Sequence, residues 1–217
     1  MSDSSLLDCH PFLLDNLACS PPIAASDTPI VEAIAQMNQN QTNYVFVIDE
    51  GQFQGIFCDR DVLRLLACQI PLHTPLRPTL PAQAIALPLQ SQLDLNVLLS
   101  RFQQENCENL PLVDATGAVV GLISRSHLLS LIPIHTLTTP KVLAATPLIV
   151  SPETPVLTVV RQMQAYHQNY AIAVRGDRPL GIITPSDILA LLPDYSPEHL
   201  NTLPLSHILP EPPPLYA

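Results

Sequence analysis

The feature that most constrains this chain is a segment that occurs three times. "GIFCDRDVLRLLA" from Gly55, "GLISRSHLLSLI" from Gly121 and "GIITPSDILALL" from Gly181 share one pattern: a glycine, two apolar residues, a small or polar residue, then helical apolar spacing. They recur at intervals of roughly 60 residues, the size of a supersecondary unit repeated along a chain. The upstream halves match too. Ile30, Ala33, Ile34 and Met37, then Leu95, Leu98, Leu99 and Phe102, then Val156, Val159, Val160 and Met163 all follow i, i+3, i+4, i+7, the apolar stripe of an amphipathic helix. Between the two helical patterns lie β-rich runs, "NYVFVID", "NLPLVDA" and "NYAIAV". Each is followed by a turn (Glu50-Gly51, Thr116-Gly117, Gly176-Asp177) and a second strand that leads into the glycine.

Each unit is therefore expected to run strand–helix–strand–strand–helix, an α/β (α+β) arrangement of roughly 55 residues that buries too little surface alone and should pack in pairs. The expected repeats are 13–68, 78–133 and 140–194, with 195–217 a connector. Proline-rich stretches, "PLHTPLRPTLPAQ" and "PIHTLTTPKVLAATP", separate them. The tail "LPLSHILPEPPPLYA" resembles a further connector, as if leading into a truncated fourth repeat of a longer protein. Thr28-Pro29 and Thr154-Pro155 are expected to open two helices with a capping hydroxyl and a proline at the first position. Ser91 and Asp94 offer an S-x-x-D signal for the third. Repeats one and two should form an intramolecular pair. Repeat three should pair with the missing fourth repeat or with another chain.

Composition excludes several classes of function. Nine Lys+Arg stand against nineteen Asp+Glu, a formal charge of −10, which disfavours non-specific nucleic-acid binding or an anionic membrane surface. Hydrophobic residues make up 47% and charged residues 13%, so long disorder is not expected. Five cysteines form no C-x-x-C pair, and no apolar run reaches the ~18 residues of a spanning helix, pointing to a soluble cytoplasmic protein. The seven histidines show no metal-type spacing, and no H-E-x-x-H, G-x-S-x-G, G-x-x-x-x-G-K or G-x-G-x-x-G occurs. No catalytic constellation emerges, so the chain itself is expected to be non-enzymatic.

"LPLVDATGAVVGLISRSHLL" and "GIITPSDILALL", supported by "VFVIDEGQFQGIFCDRDVL", resemble the cystathionine-β-synthase (CBS) domain family over about residues 13 to 194. The resemblance implies tandem CBS repeats paired into a Bateman-type module whose clefts bind adenosine-containing ligands and control an enzyme, channel or signalling domain. It implies no required cofactor. Its ligands would be ATP, ADP or AMP, before S-adenosylmethionine or a cyclic dinucleotide. It also implies a homodimer formed through the repeats, with an output domain on the same chain or on a partner protein.

By that resemblance the hydroxyl and acid of G-h-h-[ST]-x-x-D hold the ribose. In repeat three these are Thr184 and Asp187, with Ser186 a further polar candidate. A carboxylate suits the task because it accepts hydrogen bonds from vicinal hydroxyls. Adenine would lie near Leu148, Ile149 and Val150, with Asn169 and Tyr170 as another wall. Repeat one keeps Asp61 but has Cys58, a weak donor, where the hydroxyl belongs, with Arg60 and Arg64 close enough to meet phosphate. Repeat two keeps Ser124 but has His127 in place of the acid, beside Arg125. Motif quality ranks repeat three first, then one, then two.

Thr184-Pro185-Ser186-Asp187 is equally a good helix start, with Thr as cap, Pro at the first position and an acid three residues on. Cap and ribose grip can coexist. Three readings stay open: a nucleotide sensor, a structural or dimerisation module that binds nothing, and the N-terminal sensory part of a bacterial sensor kinase or cyclic-nucleotide-signalling protein with catalysis beyond Ala217.

Overall fold

The computed structural model describes residues 6–8, 13, 21–80, 85–90, 92–105, 107–125, 128 and 147–209. Cys9, Cys19, Ser91, His127, most of the second helix expected for repeat two, the segment 129–146 and the tail from 210 lie outside these residues. A short strand β1 (Leu6–Asp8) precedes repeat one, which runs β2 (Ile23–Ala24), α1 (Ile30–Asn40), β3 (Tyr44–Asp49), β4 (Gln52–Cys58) and α2 (Asp59–Ala67). Repeat two has β5 (Leu87–Pro88), β6 (Gln92–Asp94), α3 (Leu95–Gln104), β7 (Asn109–Val113) and β8 (Val119–Ser124). Repeat three has β9 (Leu148–Val150), α4 (Val156–Ala165), β10 (Ala171–Arg175), β11 (Arg178–Ile183) and α5 (Pro185–Leu189). No helix among the described residues is long and apolar enough to cross a membrane.

Each repeat builds one three-stranded sheet, ordered β2-β3-β4, β5-β7-β8 and β9-β10-β11. The entry strand joins parallel and, in repeats two and three, the last strand returns antiparallel. The helix between the first two strands supplies the crossover that a parallel pair needs. Glu50 and Gly51 both take positive φ (49° and 78°), the conformation of a tight hairpin turn whose twist matches its strands. In repeat two the turn is tied by Asp114, which accepts from the Thr116 and Ala118 amides at 2.8 and 3.1 Å. An unexpected ribbon, β1 against β6, pairs antiparallel from Leu6↔Asp94 to Asp8↔Gln92.

The described residues fall into two compact units. The first takes in those within 1–28, 45–57 and 76–141, and the second those within 29–44, 58–75 and 142–217. Repeat one is thus divided: most of its strand residues share a unit with repeat two, and its helices share a unit with repeat three. In the first unit, Leu98 and Phe102 of α3 close on Leu110 and Leu112 of β7 and Ile123 of β8. In the second, Val156, Val159, Val160 and Met163 of α4 are buried, as are Ala171 and Ala173 of β10, and α2 packs against α4 and α5. Repeat three therefore has a neighbour within its own chain, which the expectation of an external partner did not foresee. Among the described residues its sheet is nonetheless open on one side. Ile149, Ile172 and Ile182 stand in register across the three strands, with Ile149 and Ile182 each 62% exposed.

Helix starts differ from expectation. Pro29 and Pro155 are themselves the N-caps, in extended conformation (φ −61° and −59°), and the Thr28 hydroxyl accepts from the Ala25 amide at 3.1 Å. A proline cap offers no side-chain acceptor, so the first helical N–H groups must find carbonyls elsewhere. They find them in the chain returning after the second helix of the same repeat. The Ile30 amide donates to the Thr74 carbonyl at 3.0 Å, and the Val156 amide to Leu203 at 2.9 Å. The return bonds match as well: Leu76 N to Thr28 O at 3.0 Å, and Leu205 N to Thr154 O at 2.9 Å. Both leucines are fully buried. In α3 the cap is Asp94, whose Oδ1 accepts from the Asn96 and Val97 amides at 2.8 and 3.2 Å.

Candidate functional site

In repeat three, β11 ends in the extended residue Thr184 (φ −115°, ψ 165°) and Pro185 turns the chain into α5. Proline has its φ pre-set for a first helical residue and loses only an amide that would be unpaired there. The same turn brings Asp187 back to its cap. Asp187 Oδ2 accepts from the Thr184 amide at 2.8 Å and from the Thr184 hydroxyl at 2.7 Å. Repeat one reproduces this with different chemistry. Asp61 Oδ2 accepts from the Cys58 amide at 3.0 Å and the Cys58 thiol at 3.2 Å. Burial, then the carboxylates of Asp61 and Asp59, push the Cys58 thiol well up, so it stays protonated and donates. Arg64 pairs with the other oxygen, Asp61 Oδ1, at 3.0 Å.

Two candidates from different repeats meet. Arg60, two residues after the cap of α2, donates from Nε to Asn169 Oδ1 at 2.9 Å and also from a terminal guanidinium nitrogen. They are 109 residues apart in the chain and lie in the same compact unit. Tyr170, 38% exposed, and Ile149 remain at the open side of the repeat-three sheet, Leu148 is half-buried and Val150 buried. Ser186 is exposed and lines a cavity with Asn43, apart from Thr184 and Asp187. Ser124 closes β8 half-buried in repeat two, and Arg125 is held 3.7 Å from Glu108.

Three residues escaped the sequence reading: Asp59, Asn43 and Asn38. Asp59 is 9% exposed. Burial, the dominant cause, pushes its carboxyl up to about 6, against the lowering influence of the Arg60 amide, which donates to Asp59 Oδ1 at 2.8 Å, and of the neighbouring Asn43 side chain. The Asp59 amide donates to the Asn43 carbonyl at 3.0 Å, as the Arg125 amide does to Glu108 in repeat two. Pro185 holds the equivalent position in repeat three and has no amide to give. Asn43-Tyr44 therefore corresponds to Asn169-Tyr170, and that repeated Asn-Tyr pair was the available signal.

The model of the CBS domain matches residues 16–68, 88–134 and 141–194. The meiotically up-regulated gene 70 protein of Schizosaccharomyces pombe is 31% identical over 111 residues, 50% of this chain and 15% of that protein. The chain thus spans about 15% of the length of the curated relative it matches. A solved structure from Methanocaldococcus jannaschii, described as that of a proposed archaeal homologue of g-AMPK, is similar at 16% identity and TM-score 0.75, covering 94% of this chain and 82% of the other. A CBS domain pair solved with 5′-methylthioadenosine and S-adenosyl-L-methionine is similar at 22% identity and TM-score 0.45, over 55% of this chain and 92% of that one. The family match covers all three repeats and the M. jannaschii structure carries the same architecture: the chain belongs to the CBS domain family, built as a Bateman-type arrangement of tandem repeats.

Proposed function

We propose that this chain is a regulatory module in which repeat three binds an adenine nucleotide and repeat one senses its phosphate. The observation that carries this reading is the pairing of Arg60 with Asn169, in the same compact unit as the Thr184–Asp187 pair. Asp187 would accept the ribose hydroxyls once the Thr184 hydroxyl rotates away, leaving the amide bond to keep the helix start. Arg60 now donates to a neutral amide oxygen. A phosphate oxygen would take the same donors in shorter, charge-assisted bonds. Ile149 and Tyr170, at the open side of the sheet, would border the adenine. Because Arg60 belongs to repeat one, a ligand that reaches it favours one spacing of repeats one and three over others. That differential affinity is what a regulatory ligand requires. The fitting ligands are AMP, ADP or ATP. The output domain would lie on the same chain or on a partner protein, in the cytoplasm. The functional repeats would be 13–68, 78–133 and 140–194, followed by the connector 195–217.

Calorimetric titration with adenosine, AMP, ADP and ATP tests the reading. Asp187→Ala should weaken all four by about tenfold or more, the value of one lost charge-assisted contact. Arg60→Ala should weaken the three phosphate-bearing ligands and leave adenosine unchanged. No binding by any of the four to the wild-type chain would overturn it.

A second reading, a dimerisation module, is favoured by the open row of Ile149, Ile172 and Ile182. Exposed apolar rows of this kind mark interaction surfaces, and a second copy would cover it through repeat three.

A further inference from the structure

Val31 and Leu157 hold equivalent places in the first turns of α1 and α4, as Leu66 near the end of α2 and Leu192 after α5 do in the second helices. These four residues line one groove of about 800 Å³. The chain that follows each second helix completes it, with Ile70 and Leu72 after repeat one and Pro197 and Glu198 after repeat three. All belong to the second compact unit. Asn38 explains why the Val31 face of α1 is turned towards repeat three. It lies seven residues on, on the same helix face, and its Nδ2 donates to the Leu189 carbonyl of α5 at 3.3 Å. The groove stands at the C-terminal end of α2, whereas Arg60 and Asp61 hold the N-terminal end. It is therefore separate from the candidate nucleotide site and does not depend on that reading.

The groove is apolar within and unfinished at its rim. Leu66 and Leu157 are buried, but Val31 is 47% and Ile70 37% exposed. A small-molecule site normally encloses most of its ligand, whereas apolar side chains that stand out at a rim are the mark of a surface covered by a macromolecule. Charge selects the kind. Glu198 is the only carboxylate, and no Lys or Arg lines the groove. Among the described residues Glu198 is exposed and has no ion-pair partner. Glu32, beside Val31, and Asp194, two residues past Leu192, add exposed carboxylates just outside. The one cation of α4, Arg161, is a turn beyond Leu157 and outside the lining. A second copy of the chain would bring the same excess of nineteen Asp+Glu over nine Lys+Arg, and an anionic membrane is repelled for the same reason. An apolar groove with an acidic rim fits a helix that presents apolar side chains along one face and Lys or Arg beside them.

We propose that this groove docks a basic amphipathic helix of a partner protein, its apolar face against Leu66, Leu157 and Leu192 and a Lys or Arg beside Glu198. Val31 and Ile70 would be covered at the same time.

Fluorescence anisotropy of the full chain with a labelled model helix, LKKLLKLLKKLLKL, tests this against its acidic counterpart, LEELLELLEELLEL. The lysine peptide should bind saturably and the glutamate peptide should not. Val31→Lys and Glu198→Lys, both at exposed positions, should each weaken the lysine peptide by about tenfold or more. Ile182→Lys, on the open sheet of repeat three, should leave its affinity unchanged, which separates docking in this groove from attraction to an acidic chain at large. Absence of saturable binding by the lysine peptide would overturn the proposal. So would full affinity in the folded Val31→Lys and Glu198→Lys chains, or an equal loss in Ile182→Lys. A wild-type dimer that Val31→Lys converts to monomer in sedimentation would assign the groove to a second copy and overturn it as well.

Discussion

A hydroxyl or thiol followed three residues later by a carboxylate does one structural job in both repeats that carry it. Thr184 and Cys58 each donate, by amide and side chain, to one oxygen of the following acid. A hydroxyl donates better than a thiol, so Cys58→Thr should raise stability by about 0.5–1 kcal/mol, read from the urea midpoint. Because its thiol is held protonated, Cys58 should react with iodoacetamide much more slowly at pH 8 than exposed Cys68. Quantitative mass spectrometry of the labelled peptides checks this. Asp59 carries a pH dependence of definite sign. Its carboxyl ionises at about 6 in the fold, against 3.8 unperturbed, so the folded chain holds that proton more tightly than the unfolded chain. Its contribution to stability is greatest below about pH 4 and falls as pH rises through 4 to 6, with the cost fully present above that. Asp59→Asn should flatten this segment and stabilise the chain at pH 7 by up to about 3 kcal/mol. Urea midpoints at pH 5 and 7 measure both effects. None of this was legible in "CDRD", because depth of burial belongs to the fold and not to the tetrapeptide.

At the scale of elements, the apolar stripes of α1, α3 and α4 predicted from i, i+3, i+4, i+7 spacing are the faces the fold buries, with Leu95 and Leu99 of α3 only half-covered. Periodicity reports a helix face reliably because only one side of an amphipathic helix leaves water. The caps were less legible. Thr-Pro suggested a hydroxyl cap, yet Pro29 and Pro155 occupy the cap itself and the amides of Ile30 and Val156 are served by Thr74 and Leu203. Those carbonyls arrive from more than forty residues downstream, and no local motif announces them. The chain that follows repeats one and three is therefore a structural part of the repeat it follows, anchored by the buried Leu76 and Leu205. Leu205→Ala should cost about 2–4 kcal/mol, the range for deleting a buried leucine side chain. It should also expose the first amides of α4 to faster hydrogen exchange. Hydrogen exchange at Val156 and Leu157 separates that local effect from global destabilisation.

For the whole molecule, three repeats and their internal order were readable directly, because an amphipathic unit repeated in register can only be the same fold used again. The open row on repeat three gives a prediction at this scale. Ile182→Glu should leave the monomer folded and, if a second copy covers that sheet, shift sedimentation towards monomer at concentrations where the wild-type chain is dimeric. An unchanged distribution would remove the dimerisation reading. The sequence by itself determined the repeat architecture, the helix faces, the family and the Thr184–Asp187 pair, since each rests on spacing along the chain or on residues three apart. Only the tertiary structure decided that Arg60 meets Asn169, that Asp59 is buried, and that Asn43 and Ser186 share a cavity. These contacts join residues more than one hundred positions apart or depend on depth below the surface, and packing between repeats, not local pattern, sets both.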